Sequence, residues 1–174
     1  MLEIEVKVPV TDLGSIETRL VGLGGVFVTE KAQEDLYMAH PCRDFGVTDE
    51  ALRLRMDGNA QVLTYKGPKM DARSKTREEI EFSVPMEQMR TVLERLGFVK
   101  FIQVRKVRKE YVLDDVLVCL DQVEGLGSYV ELEFSGQDAE KGLVRVEDIK
   151  HRLGIEGNEI RSYLELIIQK KGEM

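Results

Sequence analysis

The sequence predicts an α+β domain in which about eight antiparallel strands close into a barrel, or tunnel, with helices packed on the outside. Three observations carry that prediction. Segment after segment alternates apolar and polar residues with a period of two. Turn motifs join neighbouring segments as hairpins, which forces antiparallel pairing. The polar side of most strands is also ionic, with both signs of charge present.

The elements follow in order. MLEIEVKV opens the chain as a strand from Leu2 to Pro9, with Glu3, Glu5 and Lys7 on one face and Ile4, Val6 and Val8 on the other. In TDLGSIETRLVGLGG, Thr11 or Asp12 caps a helix whose Leu13, Ile16, Leu20 and Leu23 recur at helical spacing, and Gly24–Gly25 end it. VFVTEKAQEDLYMA is a long extended stretch that leads into the loop HPCRDFGVTD. ALRLRMD and AQVLTYK form a hairpin around Asp57–Gly58–Asn59. The polar loop GPKMDARSK, with Lys69, Arg73 and Lys75, reads either as a lid over bound phosphates or as an ordinary surface loop. TREEIEFSV is a strand. Pro85 then opens a helix with Met86, Met89, Val92, Leu93 and Leu96 on one side.

A second β–β unit runs from Phe98 through KVRKEYVL, turns at Asp114–Asp115, and returns as VLVCLDQV. EGLG leads into the strand SYVELEFS. DAEKGLVRVEDIKHRLG and NEIRSYLELIIQKK are helical, the second with Asn158 as its expected cap. The 174 residues read as one domain over 1–174, whose two halves loosely repeat one order of elements.

Bulk properties exclude several function classes. Net charge is −7, with 25 Lys and Arg against 32 Asp and Glu, so the overall field does not favour nucleic acid. No apolar run approaches a membrane span and the start carries no signal-peptide pattern, so a cytoplasmic protein with no membrane partner is expected. Cys42 and Cys119 form no CxxC pair and read as reduced, structural thiols. His40 and His151 have no metal-ligand companions, and neither a phosphate-binding GxxxxGK loop nor GxGxxG is present.

The ionic faces hold the chemistry. Arg53 and Arg55 lie two apart opposite Leu52, Leu54 and Met56; Thr64 and Lys66 oppose Leu63 and Tyr65; Arg77, Glu79 and Glu81 oppose Ile80 and Phe82. Lys106, Arg108 and Glu110 follow, then Asp121, then Glu131 and Glu133 against Val130, Leu132 and Phe134. An open sheet with one wet face gives the same alternation. Arg or Glu at consecutive same-face positions, and the suitability of the guanidinium fork for phosphate oxygens, favour an enclosed, water-filled interior that holds an anion. Carboxylates suit Mg²⁺ or Mn²⁺ rather than zinc or copper. Acidic and basic groups around one cavity are what a metal-bound triphosphate requires.

These residues carry a resemblance. EIEVK matches the ExExK signature that opens the CYTH, or triphosphate tunnel metalloenzyme, family, and the match continues in order through ALRLR, LTYKGP, TREEIEF, KVRKEY, LDQVEGLG, YVELEF and RSYLELI. The resemblance implies an eight-stranded antiparallel tunnel and metal-dependent attack on a triphosphate. It makes Glu3, Glu5, Asp121, Glu131 and Glu133 the metal-side carboxylates, with Asp121 also suited to orienting a basic neighbour. Lys7, Arg53, Arg55, Lys66, Arg77, Lys106 and Arg108 become the phosphate-binding set, and Lys7, Lys66 and Arg108 the catalytic residues. DLYMAHPCRDF and DEALRLR are most similar to the class IV adenylyl cyclase branch, which converts ATP to cyclic AMP and pyrophosphate. Other members hydrolyse thiamine triphosphate or inorganic tripolyphosphate. A non-catalytic polyphosphate or nucleotide binder needs only the basic set; under either reading the partner is a small-molecule triphosphate, and a homodimer is one assembly open to the chain.

Overall fold

A computed structural model describes residues 2–69, 77–136 and 138–172, with the side chains of Leu2, Glu3, Lys69, Arg77 and Ala139 outside that description. The expected lid residues Arg73 and Lys75 fall outside the described residues. The chain forms two compact units, residues 1–31 with 106–174, and residues 32–105.

In the first unit β1 (Leu2–Val10) pairs with β8 (Gly127–Gly136), β8 with β7 (Val116–Val123), and β7 with the later part of β6 (Val99–Leu113), all antiparallel. The side chains of Val6, Val8, Val118, Leu120, Val130 and Leu132 leave the ionic face and pack with Ile16 and Leu20 of α1 (Leu13–Gly22) and Val146, Ile149 and Leu153 of α4 (Ala139–Leu153). Each such burial contributes roughly 1.5–3 kcal/mol.

Asp12 is the N-cap of α1: its Oδ1 accepts from the Ser15 amide at 3.1 Å and its Oδ2 from the Ser15 hydroxyl at 2.7 Å. α4 is capped by Asp138 and closed by Gly154 at φ 66°, the left-handed C-terminal position that favours glycine. Gly142 brings α4 so close to the sheet that a Cβ there would lie 2.4 Å from Ile4 Cδ1.

The last helix departs from its expected start. Residues 155–160 are non-helical, and α5 spans Tyr163–Gly172. Its cap is Ser162 rather than Asn158. Ser162 Oγ accepts from the Glu165 amide, and the Glu165 carboxylate accepts from the Ser162 amide at 2.6 Å, a reciprocal capping box.

In the second unit the later part of β2 (Val26–Ala39) pairs with β3 (Ala51–Asp57), β3 with β4 (Ala60–Lys69), and β4 with β5 (Arg77–Ser83). The β3–β4 turn is Gly58–Asn59, with Gly58 at φ 59°, so the glycine takes the strained first position. A short α2 (Phe45–Thr48) occupies the expected loop, and α3 (Met86–Arg95) packs Leu93 onto Met38, Leu52, Leu54 and Leu63.

Together the strands follow the order β1-β8-β7-β6-β2-β3-β4-β5, an eight-stranded antiparallel sheet with helices, as the sequence predicts. The ladder is a series whose ends are β1 and β5. Beyond β1, the Lys7 carbonyl accepts from the Glu159 amide at 2.7 Å, so part of that edge is covered by the segment before α5 instead of a strand. The helices cover the apolar faces incompletely. Val92 and Leu96, expected on the packed side of α3, are exposed, as are Ile80, Phe82 and Phe101. A helix about 10 Å across covers about two strands spaced about 4.8 Å apart, and among the described residues of the second unit α3 alone is a long helix.

Candidate functional site

The register explains how the first unit assembles its ionic cluster. Residues directly opposite in an antiparallel pair share a face. β1 and β8 thus place Lys7 against Glu131 and Glu5 against Glu133, and β6 and β7 place Arg108 against Asp121. Asp121, with no solvent exposure, sits at the centre. Its Oδ1 accepts from Arg108 Nε at 2.7 Å; its Oδ2 accepts from Arg108 Nη2 at 2.6 Å, Lys106 Nζ at 2.8 Å and Tyr163 Oη at 2.8 Å. Glu131 receives Arg108 Nη2 and lies 3.4 Å from Lys7 Nζ, and Glu133 lies 3.5 Å from Arg108 Nη1.

The electrostatics follow from this packing. Burial opposes ionisation of Glu131, yet Lys106, Arg108 and Lys7 hold its pKa down at about 2. Burial pushes Lys106 below the usual lysine range against the pull of Glu131 and Asp121. Burial and the same two carboxylates push the Tyr163 phenol up, so it stays a proton donor. Cys119 is a buried thiol on this face, pushed up by burial, while Cys42 is exposed; both are free.

The second unit carries its own cluster. Arg55 grips Asp35 with two bonds, Nε to Oδ1 at 2.6 Å and Nη2 to Oδ2 at 2.7 Å. Arg53 Nη2 donates to Thr64 Oγ1 at 3.2 Å and lies 3.6 Å from Glu81, which also accepts from Thr64 Oγ1 at 2.7 Å. Lys66 Nζ meets Glu79 at 2.7 Å. Among the described residues Gln33 Oε1 and Arg53 Nε are buried there without hydrogen-bond partners, two polar groups with capacity for a ligand.

The predicted residues therefore divide between the units. Lys7, Glu5, Lys106, Arg108, Asp121, Glu131 and Glu133 gather in the first; Arg53, Arg55 and Lys66 in the second. Glu3 lies on β1 opposite Ser135, and Arg77 on β5 opposite Lys69. Sequence reasoning missed Asp35, although Gln33, Asp35 and Tyr37 continue the period-two face of their strand, and it did not bring Tyr163 into the ionic cluster. A cavity of about 380 Å³ beside Asp12, Arg19 and Gly154 is lined by none of the cluster residues.

Charge balance bears on cofactor fit. Lys7, Lys106 and Arg108 are already matched by Asp121, Glu131 and Glu133. Among the described residues no group of three or more His, Cys, Asp or Glu side chains gathers in metal-binding geometry. Asp121 has its oxygens filled by four donors, which suits a carboxylate that orients basic residues. Glu5 and Glu133, opposite one another and only partly buried, are the pair that fits a hard divalent ion, since Mg²⁺ is typically held by one or two carboxylates plus water and phosphate oxygens.

Comparison with known proteins agrees with this architecture. A Methanocaldococcus jannaschii protein named as a candidate adenylate cyclase is 42% identical over 172 residues, covering 95% of this chain and 98% of its own. The structure of the PH1819 protein from Pyrococcus horikoshii superposes with a TM-score of 0.82 at 38% identity, over 97% of this chain and 99% of that one. A Hippeastrum protein, described as an adenylyl cyclase candidate with a dominant triphosphatase activity, shares the fold at TM-score 0.74 and 21% identity, over 97% and 96% of the two chains. The CYTH domain pattern matches residues 1–163, and the chain belongs to the CYTH family.

Proposed function

We propose that the protein is a divalent-metal-dependent enzyme acting on a triphosphate, with ATP cyclisation to cyclic AMP and pyrophosphate as the leading reaction. The observation that carries this reading is the Lys7–Lys106–Arg108 cluster, balanced by Asp121 and Glu131 and adjoining the paired Glu5 and Glu133. Lys7, Lys106 and Arg108 in the first unit, with Arg53, Arg55, Lys66 and Arg77 in the second, are the proposed phosphate ligands. Lys7, Lys66 and Arg108 are those proposed to stabilise charge that builds on phosphate oxygens in the transition state.

Glu5 and Glu133 would hold a bound Mg²⁺ or Mn²⁺, with Glu131 and Glu3 as the further proposed carboxylates, and the ion would supply charge neutralisation of the triphosphate. Asp121 acts through the side chains it holds: Arg108 is fixed by two bonds and Lys106 by one, so both are positioned before substrate arrives. In a cyclase the ribose 3′-hydroxyl attacks the α-phosphorus and pyrophosphate leaves. The description of the Hippeastrum protein favours a second reading, in which water attacks and a phosphate leaves.

Incubation with ATP, thiamine triphosphate or tripolyphosphate and either metal, followed by chromatography, tests both. Cyclic AMP with pyrophosphate supports the cyclase; ADP or free phosphate supports the hydrolase. Glu5→Gln with Glu133→Gln should lower turnover at least about 100-fold while the fold persists. Turnover that survives that double change overturns Glu5 and Glu133 as the metal-holding pair, and binding with no turnover of any triphosphate overturns the enzyme reading.

A further inference from the structure

Tyr163 is the first residue of α5, and its side chain enters the first unit's cluster from outside the sheet. Lys7 Nζ stands 4.3 Å from the centre of its ring and Lys106 Nζ 4.8 Å, so one aromatic ring serves two ammonium groups. The hydroxyl at the other end of the ring donates to Asp121 Oδ2, the oxygen that also accepts from Lys106. Tyr163 thus touches both members of the Lys106–Asp121 pair. Tyr129 braces the ring edge-on, with centroids 5.2 Å apart.

The backbone around Tyr163 is equally fixed. The Ser162–Glu165 capping box sets the start of the helix, and Leu166 is buried one turn on. Lys7 is held twice by the preceding segment: its carbonyl by the Glu159 amide and its ammonium by the Arg161 carbonyl at 3.0 Å. A ring face differs from a further carboxylate in one useful respect. It stabilises a cation through its quadrupole without binding one particular N–H in a directed hydrogen bond. A lysine held this way can still turn a donor toward an incoming oxygen.

We propose that Tyr163 is a positioning residue, a π-platform that holds Lys7 and Lys106 aimed at the phosphates of the substrate. The inference rests on the triphosphate reading for its consequence, but not for its geometry. Three proteins are compared, the wild type, Tyr163→Phe and Tyr163→Leu, each with isotope-labelled lysines. Ring currents from Tyr163 should move the side-chain resonances of two lysines upfield in the wild type. Tyr163→Phe should keep those shifts, and Tyr163→Leu should abolish them.

In parallel, calorimetric titration with inorganic tripolyphosphate and Mg²⁺ should show affinity within about threefold of wild type for Tyr163→Phe. Tyr163→Leu should lose about tenfold or more, the scale of a desolvated cation–π contact. Wild-type protein without ring-shifted lysines overturns the platform, whether or not either variant folds. So does Tyr163→Leu binding tripolyphosphate as tightly as wild type. Ring-shifted lysines in a wild-type protein that binds no triphosphate would overturn the substrate role alone, and would count against the functional reading.

Discussion

Replacing Asp121 by Asn keeps its shape and removes its charge. The native carboxylate accepts four hydrogen bonds from three residues, and an amide has one oxygen to offer in place of two. Placed to keep Lys106, Arg108 Nη2 and Tyr163 on its oxygen, Asn must point its NH₂ at Arg108 Nε, donor against donor. In the opposite orientation three donors face the NH₂. Lys106 and Arg108 then rely on Glu131 and Glu133 for compensation.

Removing one partner of a buried ion pair costs about 3–5 kcal/mol. For a chain of this length that lowers Tm by about 6–20 °C. Guanidinium unfolding at pH 7, followed by circular dichroism, measures the change directly. A loss below about 1 kcal/mol would refute the assignment of Asp121 as the anchor of the cluster, because an amide would then serve equally well.

Two further predictions follow from other contacts. Glu131 titrates at about 2 in the folded protein against an ordinary 4.5, so its contribution of about 3 kcal/mol is full above pH 4.5 and is lost as pH falls toward 2. Unfolding curves between pH 2.5 and 6 should therefore show a slope in wild type that Glu131→Gln flattens; equal slopes would count against the ionised cluster. Gly142→Ala should lower the urea midpoint despite better helix propensity, because the new methyl falls 2.4 Å from Ile4 Cδ1 and 2.5 Å from Phe134 Cδ1. A raised midpoint would mean that α4 is not seated so tightly on β1 and β8.

Much of the fold was legible because local and tertiary signals agree. The period-two pattern of EIEVKV sends Val6 and Val8 to the core and Lys7 to the ionic face, where the structure places them. The turns at Gly58–Asn59 and Asp114–Asp115 were visible because both contain residues that tolerate positive φ. The start of α5 was less legible. Asn158 is a good cap by residue type, but Glu159 and Arg161 are already committed to Lys7 through their backbone, so the helix waits for Ser162. Asp35 escaped notice because one acidic residue among the three of a mixed strand, Glu30, Glu34 and Asp35, gains meaning only when its register with Arg55 is known. The role of Tyr163 was hidden for the same reason: no local rule links a helix N-terminus to lysines about 57 and 156 positions earlier.

The near-neutrality of the first unit's cluster has a kinetic consequence. A patch whose positive groups are already answered by carboxylates casts little field beyond its immediate surroundings, so it would not draw polyanions in from a distance. Entry becomes an exchange of partners in which each arriving oxygen displaces a resident one. Association should then depend only shallowly on ionic strength, and discrimination should come from how well a newcomer's oxygens replace those they evict.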